Sequence, residues 1–285
     1  MTTGKWNLIV DVAECTNCQL CTLALQDEHV GNAYPGYAEA MPKHGHRWID
    51  IKRKERGSAP HLDVAYVPTL CQHCDDAPCM KAAEDGAITK RPDGIVLIDP
   101  VRAKGQRQIV EACPYGAIVW NEEKQLPQAW FFDAHLLDTG WQEPRCVSVC
   151  ATGALKAVKL DDGGMARLAD SEGLEPLRPD LATKPRVHYK NLWRYTKAFV
   201  AGSVSAERDG IVDCVEGALV RLTKDGAGIA ETITDAFGDF KFDRLEPDGS
   251  CYALEIAADG FALDRAEVTV DDSVSLAEIR LSKSA

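Results

Sequence analysis

Three cysteines in the rhythm C-x2-C-x2-C, Cys15, Cys18 and Cys21, constrain this chain more than any other feature. A loop crowded with thiols suits a metal centre. The bacterial ferredoxin run adds a fourth cysteine after three more residues, followed by proline. Here that fourth place holds Leu25. A second run, Cys71, Cys74 and Cys79, holds Ala83 in its fourth place. Two other cysteines end runs whose beginnings are missing. Cys113 is followed by Pro114, and counting back by the same spacing gives Ala103, Gln106 and Ile109. Cys150 closes a fourth run that keeps Cys146, and the FFDAHLL segment before it has no cysteine.

In two-cluster ferredoxins the last cysteine of each run ligates the cluster of the other run. Pairing first with fourth and second with third gives two complete sets. They are Cys15, Cys18, Cys21 and Cys150, and Cys71, Cys74, Cys79 and Cys113. A third set would need positions 83, 103, 106 and 109, none of them cysteine, and a fourth would keep only Cys146. The losses fall together, as they should where whole clusters are deleted. Pairing first with third and second with fourth also yields two full sets, so spacing alone leaves both pairings open. Two runs of three close cysteines exceed what one tetrahedral zinc needs. Disulfides belong to exported chains. The cysteines therefore predict two [4Fe–4S] clusters. Cys146, Cys214 and Cys251 read as buried small hydrophobes. His73 lies inside the second run, placed to bond a cluster sulfur, cap a helix or face solvent. His29, His44, His46 and His135 have no evident partner.

The chain has 285 residues, room for one large or two ordinary domains, and 45 % hydrophobic residues can fill a sizeable core. A formal net charge of -12 argues against a nucleic-acid partner. The basic run KRKER, 52–56, reads as a solvated or partner-facing stretch. Residues 198–285 hold 8 basic and 18 acidic residues, against 24 and 26 before them, which suggests two units with different surroundings. No run of 18 apolar residues predicts a membrane span. The opening MTTGKWNLIVDVAEC has neither a signal-peptide apolar region nor a twin arginine, so a cytoplasmic location is expected.

GAITKRPDGIVLIDP, 86–100, predicts a hairpin about a PDG turn, and RAKGQRQIVEA a short helix before C-P-Y-G-A. That is the layout of a ferredoxin-type module. The Pro- and Arg-rich stretch 174–195 reads as an extended arm. Beyond it come seven short alternating runs between Asp/Gly turns, the pattern of a small β-sandwich. Its acidic residues read as a solvated face, with calcium binding only weakly signalled. The expected fold class is α+β. Two ferredoxin-like [4Fe–4S] modules occupy 1–173, an arm 174–197, and a seven-stranded immunoglobulin- or prealbumin-like sandwich 198–285.

The cysteine layout resembles the iron–sulfur subunit of molybdopterin oxidoreductases of the dimethyl-sulfoxide-reductase family. That resemblance implies two ferredoxin-like modules holding up to four clusters, and it selects the nested pairing. QDEHVGNAYPGY, GHRWIDIKRKERG, PTLCQHCDDAPC, DGIVLIDP, CPYGAIVWNEE, AHLLD and TKPRVHYKNL, with the added β-domain, are similar to a narrower branch of that family. Its members hydroxylate or transhydroxylate polyphenols of the pyrogallol or resorcinol type. Aligning AHLLD puts Trp130 and Asp133 where the branch has two ligands of its fourth run, and Trp130, Phe131 and Phe132 would fill the vacated space.

The resemblance implies a non-catalytic electron-transfer or scaffold subunit. Catalysis would lie on molybdopterin, with molybdenum or tungsten, in a large partner subunit. The assembly would be a heterodimer or higher oligomer, served by an external redox partner. Two other readings stand beside it. The clusters would be structural staples for an interface, or the chain a free-standing ferredoxin-like carrier. The arm argues against the latter, because it would need a partner to lie on.

Overall fold

The unbroken apolar run Leu8-Ile9-Val10 makes Lys5–Asp11 a strand with no solvated face. It is the middle of three, pairing antiparallel with Leu155–Leu160 and parallel with Val187–Lys190. The computed structural model describes residues 4–284. Two compact units emerge. One is the chain up to Arg53 with Tyr66–Leu192; the other is Lys54–Ala65 with the chain from Trp193 onward. The architecture is α+β. Among the described residues no helix is long and apolar enough to cross a membrane.

The first unit is built from short elements around the cysteines. Helix Leu20–His29 follows the first run, and helix Pro78–Ala82 begins beside Cys79. The predicted hairpin forms as Ile88–Lys90 against Val96–Ile98. The predicted helix before Cys113 shrinks to one turn, Gln108–Glu111. Helix Asp162–Glu172 is set by its ends: Asp161 accepts from the Gly164 N–H at 2.7 Å, and Gly173 closes it at φ 63°.

The stretch read as an arm is not featureless. It contains Val187–Lys190, a strand of the three-stranded sheet, and the helical turn Trp193–Thr196. Its middle part lies on its own unit. Asp75 N–H donates to Lys184 O at 2.9 Å, Asp76 N–H to Thr183 O at 3.1 Å, and Arg186 N–H to Gln72 O at 2.8 Å. Positions 183, 184 and 186 of the segment thus bond within their own unit, so this part is not a free arm.

In the second unit every one of the seven expected runs contains strand. Two sheets enclose one core. Ala198–Arg208, Ile211–Cys214, Asp239–Leu245, Val274–Ser275 and Ile279–Leu281 form the first sheet, and Leu219–Lys224, Ala227–Ile233, Ser250–Ala257 and Asp264–Val270 the second. Alternation turns Phe240 and Phe242 inward against Val220, Leu222, Leu254 and Ile256, and a register shift past Phe242, with Arg244 at φ 64°, brings Leu245 to the same core. Among the described residues nine strands form rather than seven. Ile211–Cys214 is exposed along its length and so shows no period-two signal, and the last run divides in two.

Lys54–Ala65 is the tip of the hairpin Ile49–Ser58/His61–Leu70. The basic run is only partly solvated. Lys52 and Arg53 are exposed, but Arg56 is buried among Asp63 (2.5 Å), Asp243 (3.0 Å) and the Lys197 carbonyl (3.3 Å), with Trp193 and Phe199 against its guanidinium. A sequence pattern of like charges cannot show that one of them turns inward. Gly57 beside it has φ +76°, and a Cβ there would lie 2.5 Å from His61 O and from Phe199 Cζ. Gly57→Ala is expected to cost more than the ~1–2 kcal/mol of a left-handed alanine. A lowered denaturant midpoint at unchanged slope is the check.

Candidate metal centres

The first run folds back on itself through left-handed residues, Asn17 at φ 58° and Gln19 at φ 64°. Against burial, which raises both thiols, the Asn17 peptide lowers that of Cys15 and Thr22 that of Cys21, while the Thr22 hydroxyl donates to the Ile49 carbonyl at 3.4 Å. Cys18 is exposed, Cys15 half-buried and Cys21 buried at the head of helix Leu20–His29. Burial pushes the Cys15 thiol up and Cys21 to about 11, and repulsion from Cys150 adds to both. Cys150 thus shares a neighbourhood with the first run. It is carried there by the turn Arg145–Ser148, which is tied to the helix: Arg145 pairs with Glu28 at 2.5 Å and Asp27 at 2.8 Å. Burial alone would raise Glu28, but bonds from Tyr34, His135 and Arg145 hold it at about 2.

The second run repeats the device. His73 has φ 45°, and its N–H bonds Cys71. Burial raises Cys71 well above the ordinary thiol range, and Cys79, Cys113 and Cys74 add repulsion. Burial takes Cys79 to about 11, again with Cys113 and Cys74 adding. Cys74 is raised by burial and partly relieved by the Thr183 hydroxyl. The structure thus brings Cys15, Cys18, Cys21 and Cys150 into one neighbourhood, and Cys71, Cys74, Cys79 and Cys113 into another.

These sets fit a sulfur-ligated cluster. Buried thiols that repel one another become thiolates together only when a cationic group compensates them. Peptide N–H groups already point at several sulfurs, the interaction that tunes such centres. Among the described residues no three His, Cys, Asp or Glu side chains converge tightly enough for a single metal ion.

The positions of the missing cysteines are solid. Ala103 and Ile109 are fully buried and pack with Ala83, Cys79 and Cys113, while Gln106 bonds the Glu84 N–H at 2.9 Å and the Arg102 carbonyl at 2.8 Å. Leu25, Trp130, Asp133 and Cys146 are likewise buried. The Asp133 carboxylate accepts from Trp130 Nε1 at 3.2 Å and from the Arg145 N–H at 2.8 Å, and faces His29 Nε2 at 3.3 Å. Trp130 and Phe132 stack at 4.7 Å.

Several expectations change. Cys146 is buried, but Cys214 and Cys251 are exposed: both lie in strands at outward positions. His73 neither caps a helix nor meets solvent. Its Nδ1 accepts the Val96 N–H at 3.0 Å, its ring packs on Trp130 and Phe132, and burial takes its pKa down to about 3. Three other histidines acquire partners: Asp133 for His29, the Trp120 carbonyl for His46 and Glu28 for His135. Sequence reasoning passed over Glu28, Arg145, Thr183 and Lys90. Lys90 sits in the predicted hairpin just before the PDG turn, and nothing in its spacing points to the cysteines.

A family model described as "4Fe-4S dicluster domain" matches residues 62–160. The chain is 43 % identical to the pyrogallol hydroxytransferase small subunit of Pelobacter acidigallici, over 97 % of this chain and 99 % of that one. It is 31 % identical to the thiosulfate reductase electron transfer subunit of Salmonella typhi (58 % and 81 % covered). It is 29 % identical to a tetrathionate reductase subunit of Salmonella typhimurium (66 % and 73 % covered).

Proposed function

The chain belongs to the iron–sulfur small-subunit family of pyrogallol hydroxytransferase, and from that premise we propose that it is the electron-transfer and scaffold subunit of a molybdopterin-dependent hydroxylase or transhydroxylase of polyphenols. The observation that carries the reading is the gathering of eight cysteines into two sets of four. Cys15, Cys18, Cys21 and Cys150 would hold one [4Fe–4S] cluster, and Cys71, Cys74, Cys79 and Cys113 the other. Such clusters supply one-electron storage. This chain's residues contribute the thiolates, the peptide groups at Asn17, Thr22 and His73, and the packing that buries Cys21 and Cys74. No residue here is assigned a catalytic role. Molybdopterin, with molybdenum or tungsten, would sit in a large partner subunit of a cytoplasmic heterodimer or higher oligomer.

In this reading 1–173 is the cluster-bearing domain, 174–197 the connecting segment and 198–285 a sandwich of immunoglobulin or prealbumin type. The partner rests on the family, not on the segment 174–197. Anaerobic purification with the co-expressed neighbouring subunit tests it. About eight iron and eight acid-labile sulfide per chain, with [4Fe–4S] signals after dithionite, are expected. About four iron, or zinc, would overturn the two-cluster assignment.

One observation favours a second reading, in which the clusters are structural staples. Where further clusters would extend a relay, the chain has packed side chains: Ile109 and Ala103 in one place, Trp130 and Asp133 in the other. Such a weakened relay suits hydroxyl transfer between phenols, which moves few net electrons. Cluster reduction that follows addition of a phenol would exclude the staple.

A further inference from the structure

We propose that Lys90 is a positioning residue whose ammonium charge raises the electron affinity of the Cys71/Cys74/Cys79/Cys113 site. The inference rests on the iron–sulfur reading above and deepens it by naming a charge that tunes one of the two sites.

Lys90 ends the strand Ile88–Lys90. Its Nζ lies 2.8 Å from the His73 carbonyl, 2.8 Å from the Cys74 carbonyl and 2.6 Å from Asp75 Oδ1. Three acceptors around one nitrogen take up three N–H bonds, which only the ammonium form has. The side chain is 18 % exposed, so the charge is held inside the second cysteine run and poorly screened. It reaches the run through the main chain of a cysteine of the set, the Cys74 carbonyl.

Asp75 does not cancel the charge. Its carboxylate is shared with Arg186, whose Nε lies 2.9 Å from Oδ1, and with Lys5 at 3.9 Å. Arg186 and Lys5 also meet Asp162, each at 2.8 Å. Three cations therefore surround two carboxylates. An added electron puts negative charge into a weakly polarisable interior, where a nearby cation stabilises it. Lys90 also braces the loop, since it ties two successive carbonyls beside the left-handed His73. Charge and brace make different predictions.

The test is an EPR-monitored redox titration of the anaerobic full chain in complex with its partner, with dithionite as electron donor. Lys90→Met, Lys90→Arg and Asp75→Asn are compared with the unaltered chain. In Lys90→Met the reduced-to-oxidised ratio of one cluster is expected to fall about tenfold at fixed potential, a shift of about 59 mV for a one-electron couple. The other cluster stays put. Lys90→Arg retains the original midpoint, and Asp75→Asn moves the same cluster the opposite way. Where Lys90→Met fails to hold iron, the Arg and Asn variants decide the matter by the same criteria. Unmoved midpoints, or shifts of one sign in both Lys90→Met and Asp75→Asn, overturn the charge role. Fewer than two clusters in the unaltered chain is a separate result, which overturns the iron–sulfur reading itself.

Discussion

Cys113→Ala is expected to lose about half of the bound iron, from about eight to about four per chain, with one EPR signal gone. Cys150→Ala loses the other half and the other signal. Cys146→Ala, at a buried thiol outside both sets, keeps about eight. Single variants do not separate the nested pairing from the crossed one, but doubles do. If Cys150 completes the first run, Cys21→Ala/Cys150→Ala destroys one cluster twice over and retains about four iron, while Cys21→Ala/Cys113→Ala retains almost none. The crossed pairing reverses those two results. Repulsion between Cys150 and both Cys15 and Cys21, and between Cys113 and both Cys71 and Cys79, favours the nested outcome. Iron and sulfide analysis of the single and double variants settles it. Loss of a cluster should also loosen the first unit, because binding energy at such sites is folding energy.

Arg56→Met should destabilise the second unit by ~3–5 kcal/mol, the cost of removing one partner from a buried ionic group. Asp63 and Asp243 would be left half-buried without their shared cation. The triple variant Arg56→Met/Asp63→Asn/Asp243→Asn should recover only part of the loss: it removes two carboxylate charges from around position 56, but Arg194 and Lys241 also pair with those carboxylates, at 2.6 and 3.0 Å. Hydrogen exchange of the core strand Ala198–Arg208 reads the change in that unit separately from the first. A loss below about 1 kcal/mol would show that the network is ornamental. The pH dependence has a definite sign. Burial would raise Asp63, but bonds from Arg56 and Arg194 hold it at about 2, below the unfolded value of about 3.9. A depressed carboxylate stabilises the fold above its unfolded pKa and loses that contribution as pH falls through the folded one. The second unit should therefore weaken between about pH 4 and pH 2, and Arg56→Met should flatten that acid limb.

Much of this was legible because it is local. Spacing such as C-x2-C-x2-C is a property of one loop, so Cys15, Cys18, Cys21, Cys71, Cys74 and Cys79 could be picked out before any fold was known. The same holds for the hairpin around the PDG turn, and for Phe240 and Phe242, whose alternation marks an inward face. Exposed Ile211–Cys214 gave no such signal, because a strand solvated on both faces has no period to read. The paired absences at 83, 103, 106 and 109 were readable as well, since deletion of a cluster removes its ligands together.

Long-range placement was not legible. Which thiol neighbours Cys15 depends on Arg145 reaching Glu28, two residues far apart in the chain. KRKER looks uniformly basic, yet Arg56 turns inward because Asp63 and Asp243 lie there to meet it. Lys90 looked like any hairpin lysine until the fold set its ammonium against the carbonyls of His73 and Cys74. The sequence by itself determined the thiol chemistry, the β-rich second half and the count of complete cysteine sets. Only the tertiary structure decided which charges stand beside the thiols and which are buried, because a charge acts through space on whatever the fold brings near it.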